Sequence, residues 1–247
     1  MRALILAAGR GTRISRYLSG KPKCTVDIGG ESLIRYTVEN LKKQGIKEIG
    51  IVLGFGHEYI KNELEGLEVS YYYNNFFDVT NSIASVWFAF DFLKDDIIIM
   101  NGDVFLEESL LEDILKEKKS PVLFADETRK EEADYKFFYE NGLLIKYGKE
   151  LTGKDITGEY VGIAKLSREF VPKFKERLKF MIENQQHSFW WENILYSLIK
   201  KESIYVENIK NKFWAEVDYI EDYERILKFR KFKINYNIEV IKSNERG

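Results

Sequence analysis

The sequence predicts an α/β fold built on a doubly wound mixed sheet, mostly parallel, and three observations predict it. Short apolar runs alternate with stretches of helical period through the first hundred residues, as in parallel strands joined by crossover helices. A length of 247 residues suits one large α/β domain, since domains average roughly 100–150 residues. At 45% hydrophobic and 15% aromatic the chain can bury a sizeable core, which excludes general disorder.

The elements follow in order. Leu4-Ile5-Leu6-Ala7-Ala8 is an apolar run closed by Gly9 and Gly11, a buried strand entering a loop. Leu33 to Gln44 has helical periodicity and stops at Gly45, where a C-cap glycine belongs. Glu48 to Gly54 is a second buried strand, His57 to Leu64 a helix, and Glu68 to Tyr73 a third strand. Ser82 to Leu93 reads as a helix, and Asp96 to Met100 as a fourth strand ending at Asn101-Gly102-Asp103. This alternation is of Rossmann-like type, with parallel core strands.

The second half changes character. Pro121 to Ala125 and Lys136 to Tyr139 read as strands, and Glu140-Asn141-Gly142-Leu143 as a hairpin turn. Glu159 to Leu166 is another strand, helices cover Glu169 to Asn184 and Glu192 to Lys200, and Ile204 to Val206 is a strand. Asp218 to Lys231 is a last helix, with Asp218 placed to cap it. No linker or repeat interrupts the chain. We therefore expect a single domain over 1–247, made of a first half (1–118), a second half (119–234) and a C-terminal tail (235–247). No hexapeptide-repeat domain or fused kinase is expected beyond it.

Composition narrows the function. Lys+Arg total 38 against 40 Asp+Glu, a formal net charge of -2, which gives no support to nucleic-acid binding by bulk charge. No apolar run approaches the roughly 18–20 residues that span a bilayer, so the expectation is a cytoplasmic protein with no membrane partner. Cys24 is the one cysteine, which rules out an internal disulfide and a Cys/His zinc cluster.

The sharpest signal is the loop Leu6-Ala7-Ala8-Gly9-Arg10-Gly11-Thr12-Arg13, followed by Lys21-Pro22-Lys23. Two glycines and small alanines after a buried strand let backbone N–H groups approach a ligand closely. Arg10, Arg13 and Lys23 then add positive charge suited to a triphosphate. An ordinary βα turn with surface arginines would explain the glycines alone; the strand, the cations and the Pro-Lys pair together favour phosphate. The loop has no Gly-Lys-Ser/Thr and lacks the third glycine of the dinucleotide fingerprint.

These residues resemble the signature of the nucleotidyltransferases, which join a nucleoside triphosphate to a phosphorylated small molecule. Asn101-Gly102-Asp103 is similar to that superfamily's strand-end Gly-Asp. Gly158 to Ile163, Trp191-Glu192 and Trp214 to Asp222 resemble its later landmarks. Asn74-Asn75 and Thr80-Asn81-Ser82-x-x-Ser85 resemble cytidylyltransferases that act on phosphocholine and related compounds, although Ser82 and Ala84-Ser85-Val86 depart from the phosphocholine-specific pattern. The resemblance implies that the loop up to Arg13 wraps the triphosphate, with Gly102 beside it, and that Lys23 neutralises charge at the α-phosphate. It also implies that Asp103 and Asp218 hold Mg²⁺, and that Thr80, Asn81, Ser82 and Ser85 lie near base or sugar. Glu159, Glu192 and Glu216 would face the acceptor. The implied substrates are CTP and a small phosphorylated acceptor.

The residues read bottom-up agree. Attack of a phosphate or phosphonate oxygen on a second phosphorus brings two polyanions together, so catalysis is mostly neutralisation and alignment. Carboxylates at a strand end and a helix start suit a hard cation. The attacking oxygen is ionised already, and His57 and His187 have no Ser or Cys partner in a recognisable elbow. Cys24 reads as a buried structural thiol. Phe189-Trp190-Trp191-Glu192 and Phe213-Trp214-Ala215-Glu216 set aromatic rings beside acids, the means of holding an ammonium. Trp191 and Trp214 are thus expected at the acceptor, although core packing would place such rings equally well, and a sugar 1-phosphate would also accept these acids. Ile14 to Leu18 is expected to be a flap over the nucleotide. The aromatic second half is compatible with a homodimer. Two rival readings remain: a sugar-1-phosphate transferase using UTP, dTTP or GTP, and a non-catalytic nucleotide-sensing module.

Overall fold

The computed structural model describes residues 1–11, 18, 20–130 and 133–231. Thr12, Arg13, most of the expected flap and the C-terminal tail lie outside the described residues. Strands β1 (Arg2–Ala7), β2 (Glu48–Leu53), β3 (Ser70–Tyr73) and β4 (Ile97–Asn101) stand in the order β3-β2-β1-β4 and pair in parallel. Helices α1 (Leu33–Lys43), α2 (His57–Glu63) and α3 (Ser82–Phe88) join them. In α1 the Ser32 hydroxyl accepts from the Arg35 N–H, and Leu33, Ile34, Thr37, Val38 and Leu41 form the buried face. Gly45 follows the helix at φ 88°, the left-handed region where glycine carries no Cβ penalty.

Beyond β4 the sheet changes sense. Strand β5 (Val104–Leu106) and α4 (Glu108–Lys116) lead to β6 (Val122–Asp126), β7 (Lys136–Glu140), β8 (Leu143–Gly148) and β9 (Gly158–Leu166). Helices α5 (Val171–Glu183) and α6 (Asn193–Tyr196) then precede β10 (Tyr205–Asn208) and β11 (Trp214–Glu216). Among the described residues nine strands form one sheet in the order β3-β2-β1-β4-β9-β6-β10-β8-β7. All nine residues of β9 are buried, and it pairs antiparallel with β4, β6 and β7. The antiparallel share is thus larger than the strand–helix alternation of the first half predicts, because the parallel ladder stops at β4 and returns only at β6–β10.

Adjacent strand residues serve opposite faces, as the period of two requires. Leu4, Ile97 and Ile99 pack with Leu123, Phe174 and Trp191 on one face. Ala3, Ile5, Ile98 and Met100 pack with Val38, Leu41 and Val122 on the other. A smaller cluster of Ile28, Leu33, Phe105, Val217 and Ile226 lies beneath a separate ribbon, β5 paired antiparallel with β11.

Three expected elements are trimmed. The helix from Ser82 ends at Phe88 and gives way to a 3₁₀ turn at Phe90–Phe92, where aromatic side chains crowd the preceding turn. The helix expected from Glu192 to Lys200 keeps only Asn193–Tyr196. The last helix runs over 220–231. Its first turn is served by Asp222, whose Oδ2 accepts from the Tyr219 N–H at 3.1 Å. Asp218 therefore does not occupy the capping position expected of it; it points to Lys23.

Candidate active site

The site forms where β1 and β4 end side by side. The Gly102 N–H donates to the Leu6 carbonyl at 2.8 Å. A Cβ at Gly102 would lie 2.9 Å from that oxygen, so only glycine lets the strand ends close. Gly11 has φ +64° and lies directly under the Lys23 side chain: an added Cβ would collide with its Cγ. The loop thus presents its backbone and the Lys23 amine to one cavity of about 710 Å³, lined by Leu6 to Gly11 and Lys23. Arg10, also lining it, stacks its guanidinium over Phe55 and Phe77 at 5.3 and 5.6 Å.

One wall is polar. Buried Asn74 donates through Nδ2 to Thr80 Oγ1 (3.2 Å) and Ser85 Oγ (3.1 Å). Asn81 caps α3 by accepting from the Ser82 N–H at 2.7 Å, and Ser82 Oγ accepts from the Trp191 N–H at 2.9 Å. Thr80, Asn81, Ser82 and Ser85 all line the cavity. Asn74, Phe77 and Asp78 join them without having been singled out as site residues.

The acids meet opposite. The β5–β11 ribbon binds the Val217 N–H to the Asp103 carbonyl at 2.9 Å. It gathers Asp103, Glu216 and Asp218, with one carboxylate oxygen from each lying within 4.8 Å of the others. Glu216, expected at the acceptor, therefore stands with the two metal candidates. Lys23 Nζ donates to Asp103 Oδ2 at 3.3 Å and to Asp218 Oδ1. Burial works against the Lys23 ammonium, but Asp103 and Asp218 outweigh it and hold its pKa above the usual lysine range. Burial, with the charges of Asp103 and Asp218 added, pushes the Glu216 carboxyl well up. Three convergent oxygens without nitrogen or sulfur suit a hard cation such as Mg²⁺. Like charges held this close would favour a cation among them, and the Lys23 ammonium supplies part of that balance.

The far end is aromatic. Tyr135, Tyr160, Trp190 and Tyr196 line it together with Glu192, Glu159 and Lys149. Two expectations are corrected here. Trp191 is fully buried in the core, its indole N–H donating to Asn101 Oδ1 at 3.0 Å. Trp214 is buried in β11 with its N–H on Asp126 Oδ2 at 2.8 Å. Neither lines the cavity, and Trp190 does. Glu159 reaches the cavity with both oxygens engaged, one by Arg129 Nε (3.1 Å) and one by the Asp134 N–H (2.9 Å). Glu192 differs, since among the described residues no cation pairs with it, and burial pushes its carboxyl up to about 8.

That shift has a measurable consequence. The folded state favours protonated Glu192, so its contribution to stability is full below the unfolded value near 4.5 and is lost as pH rises toward 8. We expect Glu192→Gln to unfold much like the wild type at pH 4.5. By pH 8.5 it becomes more stable than the wild type by an amount on the order of a few kcal/mol. Urea unfolding across that range checks this, and a constant difference would show that Glu192 is charged throughout.

A glycine loop opening on a lysine and three acids defines a protein that handles nucleotide phosphates, and the acids form a group that could hold a cation. The MobA-like NTP transferase domain matches residues 3–176, and the chain belongs to that family; it is a nucleotidyltransferase. It is 27% identical to the CTP:phosphoglutamine cytidylyltransferase of Campylobacter jejuni, over 91% of this chain and 98% of that protein. It is 25% identical to the choline-phosphate cytidylyltransferase of Streptococcus pneumoniae, over 92% and 96%. The solved CTP:phosphocholine cytidylyltransferase of Streptococcus pneumoniae shares the fold with a TM-score of 0.77 at 20% identity, over 92% of this chain and 98% of that one. Among the described residues no helix is long and apolar enough to cross a membrane.

Proposed function

We propose that the protein is a Mg²⁺-dependent cytidylyltransferase that joins CTP to a small amine-bearing phosphate or phosphonate and releases pyrophosphate. The observation that carries the reading is the meeting of Lys23 with Asp103, Glu216 and Asp218 at the mouth of the glycine loop. The cytidylyl preference is supported by two relatives named for CTP-dependent transfer, each aligned over more than nine-tenths of the chain.

In this reading the Ala8 to Gly11 backbone, continued by Thr12 and Arg13, grips the triphosphate. An acceptor oxygen forms a bond to the α-phosphorus while the bond to pyrophosphate breaks; the attacking oxygen is already ionised, so no general base is needed. Lys23 offsets the charge gathering between the two anions. Asp103 and Asp218, joined by Glu216, would hold Mg²⁺, which supplies charge neutralisation between nucleotide and acceptor. Thr80, Asn81, Ser82 and Ser85 would face base and sugar. Glu192, among Tyr135, Tyr160 and Tyr196, would receive the acceptor's amine.

The test is pyrophosphate release with Mg²⁺, crossing CTP, UTP, dTTP, ATP and GTP against amino-phosphoryl compounds and sugar 1-phosphates. Release confined to CTP with an amino-phosphoryl compound is expected. Release with a sugar 1-phosphate would turn Glu192 to hydroxyl recognition, and silence throughout would leave a nucleotide-binding module.

A further inference from the structure

The acceptor end of the cavity holds a cation that an amine pocket does not need. Lys149, in the loop after β8, lines the cavity and places Nζ over the Trp190 ring, 5.7 Å from its centroid. Asp134 holds that amine through both carboxylate oxygens, at 3.0 and 2.8 Å. Trp190 and Tyr135 meet edge to face at 5.6 Å, and Tyr135 stacks on Tyr196 at 5.8 Å. The aromatic end is therefore continuous, with Lys149 at the Trp190 side and Glu192 at the tyrosine side.

We infer that Lys149 selects acceptors carrying a carboxylate, so that the acceptor is a phosphorylated or phosphonate amino acid rather than a quaternary amine. The inference rests on the transfer reading above for what enters this cavity. A trimethylammonium seeks an aromatic face, but the face of Trp190 is already covered by an ammonium, and a second cation there meets like charge. Lysine has three donors and no acceptor. Asp134 is one carboxylate, and the pair it makes with Lys149 is part-exposed, 38% and 53% by side chain, so regrouping around a second carboxylate costs little. The tyrosine side offers the complement. Glu192 is a buried carboxyl without a paired cation among the described residues, one that a bound ammonium would favour in its ionised form, and the buried Tyr160 hydroxyl has no hydrogen-bond partner there. An α-amino acid head would answer both, ammonium toward Glu192 and carboxylate toward Lys149, with its phosphorus group left for the Lys23 end of the same cavity. Choline satisfies only one of the two.

Matched pairs isolate the carboxylate. O-phosphoserine is O-phosphoethanolamine plus a carboxylate, and 2-amino-4-phosphonobutanoate is 3-aminopropylphosphonate plus a carboxylate. Calorimetric titration of the full chain, with Mg²⁺ and α,β-methylene CTP present, should show the carboxylated member of at least one pair binding about tenfold more tightly or better. Phosphocholine should be weaker still. In Lys149→Gln the ratio should fall to near one, whereas a merely structural role would weaken both members together and keep the ratio. Equal affinities within both pairs, tightest binding by phosphocholine, a ratio that survives Lys149→Gln, or no binding by either carboxylated compound would each overturn the inference. Pyrophosphate release from the same compounds with CTP is scored separately. Selectivity without release would count against the transfer reading and not against Lys149; release with phosphocholine favoured would do the reverse.

Discussion

Asp103→Asn should abolish turnover while leaving the fold in place. The substitution keeps the side chain's shape and removes one charge from the group of three acids. The backbone carbonyl of residue 103 still accepts from the Val217 N–H, so the ribbon that assembles the site remains closed. Removing one preorganised electrostatic contact of this kind costs about 10²–10³ in rate, and a loss of that size or greater is expected in kcat for pyrophosphate release. Thermal unfolding should shift by only a few degrees, as for a substitution of about 1 kcal/mol. A variant turning over near the wild-type rate would show that these acids hold no cation during the reaction.

Lys23→Ala should damage stability as well as rate. Its amine is the cation bonded to both Asp103 and Asp218, and its side chain is 12% exposed. Taking away one partner of a buried ionic group leaves the other charges uncompensated and costs about 3–5 kcal/mol. Without divalent cation the variant should therefore unfold at much lower urea than the wild type. Millimolar Mg²⁺ should restore part of the difference, because a ligand that binds only the native state stabilises it by mass action. If Mg²⁺ raised the variant no more than the wild type, the three carboxylates would not be a cation site. Under the proposed transfer, turnover should stay low even with Mg²⁺, since the charge that Lys23 would place against the two phosphates is gone.

β1, β2 and β4 were legible because each is a short apolar run, and the loop because its glycines, cations and Pro-Lys pair fall together after one of them. Two kinds of feature were not. The ribbon of Val104–Leu106 and Trp214–Glu216 has three residues to a strand, too few to show a period, yet it joins Asp103 to Glu216 and Asp218. Chain order separates Asp103 from Glu216 and Asp218, and only this pairing brings it beside them. The second kind is a matter of which neighbour turns outward. Trp190 and Trp191 are adjacent and chemically identical, but one is 42% exposed and the other fully buried. Asn101, at the end of β4, binds the indole of Trp191, and nothing local to the tryptophans announces that long-range contact. Lys149 and Tyr135 were missed for the same reason. They lie in connections whose residues look like ordinary surface until the sheet brings them against Trp190.

The ribbon also sets an order of events during synthesis. Every strand of the nine-stranded sheet lies between Arg2 and Asn208, so the framework and the glycine loop can form before Trp214 to Asp218 have left the ribosome. Chains emerge from the N-terminus, at about 5–20 residues per second, and long-range closures come late. Until the last one forms, Lys23 and Asp103 face each other with neither Glu216 nor Asp218 beside them. A chain not yet translated past Asp218 therefore lacks part of the group of acids that the finished ribbon gathers.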